Sequence, residues 1–510
     1  LTLARDRLGE KPLYYGTVGD TFLFGSELRA LRCFPGFSGS IDREALTLLL
    51  RHNYVPSPWS IFENVRKLPA ASICRVTLEQ GAPEVRSERY WSLAPLLAAP
   101  PAPAQAPEQA REELNALLAE VLDGQSLADV PLGAFLSGGV DSSLVVAAMQ
   151  AQSSTPVRTY SIGFEAGEFD EAPFASAVAA HLGTDHTELY ASNDEVLSIV
   201  PRLAGIYDEP FADSSQIPTF LVSTLARQHV TVALSGDGGD ELFGGYLRYF
   251  AGRRVWDQMQ VLPGAARTLL AGCISAMPIA GWDRLAAVLR PVLPGRYRYR
   301  SVGQKAHKVA DVLRASDPDA VYLDLVSLWK SPAEAVLGGR DASIFDPFKP
   351  ELGLLKDFSE RMMFADTMTY LPDDLLVKVD RASMAVGLEV RAPFLDHRVV
   401  EFAWRQPVTS KIDKRTGKKL LKDLLYEYVP RELVERPKMG FGVPLADWLR
   451  GPLRDWAGDL LAAEQLQRDG YFLTDAIQRK WREHQSGEAD WHYQLWPVLM
   501  FQAWLDAYER

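Results

Sequence analysis

The stretch Gly133–Val146, GAFLSGGVDSSLVV, constrains the chain most, because one apolar run stops at Ser-Gly-Gly and a second starts at Leu144. The run PLGAFLS (131–137) reads as a strand, and SSLVVAAMQAQ (142–152) reads as a helix. Glycines at such a junction let the backbone approach an anion, and the following helix N-terminus offers free N–H groups and partial positive charge. The flanking sequence repeats the alternation. Residues 111–124 set Leu114, Leu117, Leu118, Val121 and Leu122 on one helical face, closed by Gly124. A strand is expected at 157–165, a helix at 171–183, a short strand at 186–191 and another at 230–236. Strands alternating with helices of this length dictate an α/β fold: a doubly wound, mostly parallel sheet with helices on both faces. From about residue 250 helical patterns dominate and strand signals fade.

A second strand end carries LSGDGGDELFGGY (234–246), again a serine and glycines, here with Asp237, Asp240 and Glu241. It fails GxGxxG because Glu241 holds the sixth position, so a dinucleotide reading is poor. Neither loop has the lysine of GxxxxGK[ST], which argues against γ-phosphate transfer. Asp141 beside a phosphate is repulsive unless a divalent cation bridges the two. A serine-capped glycine turn and a solvated acidic turn are the plain alternatives. Two such loops at successive strand ends are better explained by one shared Mg²⁺–phosphate group.

Composition narrows the rest. A net charge of −12 argues against a nucleic-acid or membrane-surface binder. No run reaches the roughly 18 apolar residues of a membrane span; the nearest, LLAGCISAMPIAGW (269–282), reads as a buried helix and turn. Three cysteines fit neither a disulfide framework nor a CxxC metal site, and Cys33 and Cys74 in apolar runs read as inert core residues. His181 and His186 do not form HExxH, and there is no GxSxG elbow. Residues 1–94 hold short alternating or aromatic runs and read as β-rich, and the Pro/Ala stretch 95–110 reads as a semi-rigid linker.

The SGGVDS loop resembles the PP-loop of ATP pyrophosphatases, which cleave ATP between the α and β phosphates. LSGDGGDELFGGY, LPDDLLVKVDRASMAVGLEVRAPFLDHRVVEFA (371–403) and ERPKMGFGVPLADWLR (435–450) narrow the likeness. Together they resemble the B-type, glutamine-hydrolysing asparagine synthetase family of class II amidotransferases. LARDRLGEKPLYYG (3–16) and FLFGSELRAL (22–31) are similar to the end of that family's glutaminase domain.

The resemblance implies a HUP-type PP-loop sheet. It divides the chain into an incomplete Ntn-type αββα glutaminase part (1–94), a linker (95–110) and a synthetase domain (111–510), with an α/β core at 111–250 and a helical remainder at 251–510. It implies formation of an amide from aspartate through β-aspartyl-AMP, with ammonia drawn from glutamine in the full-length protein, releasing AMP and pyrophosphate. ATP and Mg²⁺ are the implied cofactors, the cytoplasm the implied location, and a homodimer is compatible.

Ser137, Gly138, Gly139, Asp141 and Ser142 match the pyrophosphate cradle, and Asp141 with Asp240 matches the Mg²⁺ carboxylates. Leu136, Ile162, Ser235 and Gly236 match backbone positions around the adenosine and α-phosphate. Lys438 matches a lysine that neutralises charge on the phosphates. Asp237 stands where some members carry Glu. Glu241 is a further acid of the same loop, and Asp380 and Arg381 are either neighbours of the nucleotide or a structural ion pair. The family's glutaminase nucleophile is an N-terminal cysteine, whereas the sequence given starts at Leu1. As written it is therefore expected to use free ammonia, with apolar surface left uncovered on residues 1–94. The same adenylation chemistry on a polysaccharide sugar acid or in β-lactam-type ring closure, and a non-catalytic scaffold, are the competing readings.

Overall fold

The computed structural model describes residues 1–510 except 80–81, 101–104, 165–169, 279–280, 283, 287–301, 316, 414–415, 437–441 and 510. At the amino end, turn-separated half-apolar runs pair into two small antiparallel sheets. The strands are β1 (Thr2–Ala4), β2 (Tyr14–Val18), β3 (Thr21–Gly25), β4 (Val65–Lys67), β5 (Ser72–Glu79) and β6 (Ala82–Arg89), in the orders β1-β5-β6 and β3-β2-β4. Leu78 is 73% exposed and Phe24 50%, so apolar surface does lie open on this region. The β-rich reading of residues 1–94 does not single out the helix Arg43–His52. Asp42 caps it by accepting from Glu44 N (2.9 Å) and Ala45 N (3.1 Å), and it buries Leu46, Leu48, Leu49 and Leu50.

The expected linker is partly helical. A short helix covers Ala94–Ala98, and a long one, Pro107–Gln125, starts on a proline whose missing N–H is an orphan at that position anyway. The long helix buries Leu114, Leu118, Val121 and Leu122, with Leu117 half-buried at the margin of the face.

Five short strands follow: β7 (Leu132–Phe135), β8 (Arg158–Phe164), β9 (Asp185–Ala191), β10 (Val232–Leu234) and β11 (Glu389–Arg391). They form one parallel sheet in the order β11-β10-β7-β8-β9. Three expected strands sit on the runs that predict them, and the one expected at 230–236 is trimmed to β10. β11 contradicts the expectation that strands end by residue 250: it lies 155 residues after β10 in sequence and pairs Val232↔Glu389 through Leu234↔Arg391. A three-residue strand carries too little period-2 signal to stand out among helices. From β7 the chain winds outward to β8 and β9, then returns to the other side of β7 through β10. The junction of β7 and β10 is therefore the topological switch point, where ligands bind beyond the strands' carboxyl ends.

Elsewhere two sequence expectations fail. The helix Gly264–Ala276 forms, but Leu269 is 72% exposed and only Ala271 is buried in it. Cys33 is exposed at the end of Leu28–Arg32, its thiol donating to Arg29 O at 3.3 Å, while Cys74 is buried as expected. The helical remainder also holds a π-helix, Asp366–Leu375, interrupted by Pro372. Among the described residues no helix is long and apolar enough to cross a membrane.

Candidate active site

The two glycine loops leave the carboxyl ends of β7 and β10, adjacent strands at the switch point. The first turns at Gly138, whose φ of +70° suits glycine, and whose added Cβ would lie 2.7 Å from the Phe174 backbone. Ser142 folds back on the turn: its Oγ accepts from Ser137 N (3.2 Å) and lies 3.0 Å from Ser137 Oγ, which in turn accepts from Gly139 N at 3.3 Å. Gly139 is the N-cap of the helix Val140–Gln152 and makes no side-chain cap bond, so an anion-accepting helix start faces the loop.

The second loop presses directly on the first. A Cβ at Gly239 would stand 2.5 Å from the Asp141 carboxyl carbon, so only glycine allows this approach. Asp141 and Asp240, paired in the sequence reading as metal carboxylates, lie on these two loops and meet at one point. Both meet the Lys418 ammonium, Asp240 Oδ1 at 2.6 Å and Asp141 Oδ2 at contact. Burial works against that ammonium, but the two carboxylates outweigh it and raise its pKa.

Leu136 and Ile162 lie buried on neighbouring chain segments, with Leu136 N donating to Tyr160 O at 2.9 Å. Ser235 N donates to Arg391 O, also at 2.9 Å. Burial raises the pKa of the Asp237 carboxyl, with Ser235 and then Lys378 opposing. Glu241 is fully buried, accepts from Tyr246 OH at 2.5 Å, and is pushed up to about 7 by burial and by Asp240. Asp380 and Arg381 contact the amino-terminal region: Asp380 pairs with Lys11 (2.9 Å), and Arg381 donates to Ser26 O (2.7 Å) and pairs with Asp208 (3.3 Å). Each is thus paired with a residue of another segment. Lys438 lies outside the described residues.

Several site residues escape the sequence. Arg436 donates to Ser137 O (3.1 Å) and Glu171 (3.3 Å) and stacks 4.3 Å from the Phe174 ring, clamping the first loop from behind. Its signal was present, since it lies in ERPKMGFG beside Lys438. Lys378 donates to Asp213 and Ser215, both at 2.8 Å. Burial and the neighbouring Asp213 push Asp374 well up. Nothing in the sequence marks Lys418 out. It occupies the N-cap of the helix Lys419–Leu425 at φ +59°, where a side chain costs about 1–2 kcal/mol and a positive charge opposes the helix dipole. Local propensity does not favour a lysine there.

The donor set fits magnesium. Two carboxylate oxygens converge beside an anion-accepting helix start, and Mg²⁺ takes one or two protein carboxylates together with substrate phosphates and water. Among the described residues no group of three or more His, Cys, Asp or Glu is placed to hold a metal ion.

Residues 113–506 match the family model described as "Asparagine synthase", and residues 1–91 match the one described as "Glutamine amidotransferase domain". A putative glutamine-hydrolyzing asparagine synthetase of Mycobacterium tuberculosis is 34% identical over 514 residues, covering 99% of this chain and 74% of that protein. Asparagine synthetase 1 of Bacillus subtilis is 29% identical over 505 residues, covering 98% and 74%. A protein named Amidase chry2, from Gibberella zeae, is 25% identical over 518 residues. The chain belongs to the asparagine synthase family.

Proposed function

We propose that this site adenylates the side-chain carboxylate of aspartate and lets ammonia displace AMP, so that ATP, aspartate and ammonia give asparagine, AMP and pyrophosphate. The observation that carries the reading is the meeting of Asp141 and Asp240 across two glycine loops at the β7/β10 switch point. Such a site holds a metal-bound polyphosphate and lacks a GxxxxGK[ST] lysine.

In this reading the SGG turn and the start of helix Val140–Gln152 bind the β- and γ-phosphates, with Ser137 and Ser142 as hydroxyl donors. Leu136, Ile162, Ser235 and Gly236 line the nucleoside side and leave the α-phosphate open to the incoming carboxylate. The carboxylate oxygen forms a bond to the α-phosphorus as the bond to the β-phosphate bridging oxygen breaks, and pyrophosphate takes the electron pair. Ammonia then attacks the acyl carbon and AMP leaves. Asp237, whose burial raises its affinity for a proton, is assigned as the acceptor of one from the attacking nitrogen. Bound magnesium, held by Asp141 and Asp240, supplies charge neutralisation at the departing pyrophosphate. Lys438 is assigned the same task on the α-phosphate by resemblance.

The sheet is read as a HUP-type PP-loop domain over 111–510, and residues 1–94 as part of an Ntn-type glutaminase that supplies the ammonia. The test is product identity: with aspartate, ATP, magnesium and ammonium chloride, AMP and pyrophosphate are expected in equal amounts. ADP and inorganic phosphate would overturn the reading, and turnover on a different carboxylate in place of aspartate would move the substrate.

A further inference from the structure

We propose that Lys418 is a built-in counter-ion that holds the cation position between Asp141 and Asp240 until nucleotide arrives. It then yields that position to the metal and moves onto the polyphosphate. This rests on the reading of the site as a magnesium–ATP site and concerns the order in which its charges assemble.

Three observations converge. The ammonium bridges the two carboxylates that the site would use for a metal, 2.6 Å from Asp240 and in contact with Asp141. Its backbone is anchored independently of that bridge: Lys418 N donates to Phe243 O at 3.0 Å, in the second loop's own helix, and Lys418 O accepts from Lys422 N at 2.8 Å. The residue sits at a helix N-cap with a left-handed backbone, a position where a lysine is locally disfavoured on two counts. Elsewhere in the molecule lysines pair with acids from regular helix or strand backbone, as Lys378 does with Asp213 and Lys67 with Glu209. Asp366, at the start of the π-helix, accepts from Arg248 (2.7 and 3.0 Å), from Tyr249 (2.5 Å) and from Tyr322.

A lysine ammonium and a divalent cation cannot both stand between the same two oxygens. In the nucleotide-free protein Lys418 therefore suppresses metal binding. When a polyphosphate enters beside Ser137–Ser142, its negative charge offers the ammonium a second partner within a side-chain swing, and metal and lysine can both be accommodated. Metal and nucleotide would then bind interdependently.

The test is titration with Mn²⁺, followed by its electron paramagnetic resonance, on the full chain and its Lys418→Met and Lys418→Gln variants, with and without pyrophosphate. Circular dichroism confirms that each variant is folded, and Lys418→Gln serves if Lys418→Met is not. The wild type is expected to bind Mn²⁺ at least tenfold more tightly with pyrophosphate than without. The variants should bind Mn²⁺ without pyrophosphate at least tenfold more tightly than the wild type, and bind pyrophosphate at least tenfold more weakly. Equal Mn²⁺ affinity of wild type and variants in the absence of pyrophosphate would overturn the role of Lys418 while leaving the site reading intact. Absence of Mn²⁺ binding by the wild type even with pyrophosphate or ATP would overturn both.

Discussion

Lys411 and Lys418 lie seven residues apart and are both buried, yet their surroundings are opposite. Lys411 ends the helix Val408–Lys411 with its ammonium 4.9 Å from the Trp404 ring centre, and burial pulls its pKa down to about 8. Lys418 faces two carboxylates, which raise its pKa despite the same burial. Burial alone disfavours a charged amine; only a local excess of negative charge reverses that. The comparison separates a lysine tolerated by packing from one held by a site, a distinction that neither exposure nor residue type makes.

The largest expected effect falls on the Lys418 side. Asp141→Ala and Asp240→Ala should each lower ATP-dependent turnover by about a thousandfold or more, the scale of losing a preorganised charge at a reacting phosphate. Pyrophosphate release measures this, and near-wild-type activity in either variant would place the chemistry elsewhere.

On the other side, Lys411→Met should stabilise the protein at pH 7. A buried amine whose pKa falls from 10.5 to about 8 penalises the native state by about 3 kcal/mol below pH 8. The penalty disappears as pH rises from 8 to 10.5, so this residue makes wild-type stability climb across that window. Lys411→Met should lose that climb and start about 2 kcal/mol higher at pH 7, after allowance for the lost contact with Trp404. Denaturant midpoints at pH 7, 8 and 10 check the sign, with turnover unchanged.

Arg436→Lys, which keeps the charge but loses the fork at Ser137 O and Glu171, should raise the KM for ATP by about tenfold, the scale of one charge-assisted hydrogen bond. The smallest effect is expected for Glu360→Gln. Its charge partly offsets the burial of Lys411, so its loss should lower the Lys411 pKa further and cost a few tenths of a kcal/mol at pH 7.

What could be read from sequence follows from how locally each feature is encoded. The two loops were legible because glycine, serine and aspartate at a strand end carry their chemistry within eight residues. β7 to β10 were legible because short strand-like runs alternate with helical ones. β11 was not, since its pairing to β10 depends on a return across 155 residues. The helix Arg43–His52 was hidden inside a region dominated by aromatic turns. The openness of Gly264–Ala276 and of Cys33 reflects what packs against them, which an apolar run does not specify. Lys418 was illegible for a stronger reason: its role comes from two carboxylates on other loops, 277 and 178 residues away. Asp380 and Arg381 show the converse, a family block whose residues turn toward the amino-terminal region.

The central claim is that a carboxylate attacks the α-phosphate of ATP at the β7/β10 switch point. Aspartate labelled with ¹⁸O in its side-chain carboxylate tests it directly, with ammonium chloride as nitrogen donor and mass spectrometry of the released nucleotide. Adenylation predicts one ¹⁸O atom in each AMP formed and none in pyrophosphate. Label in inorganic phosphate beside unlabelled ADP would contradict it.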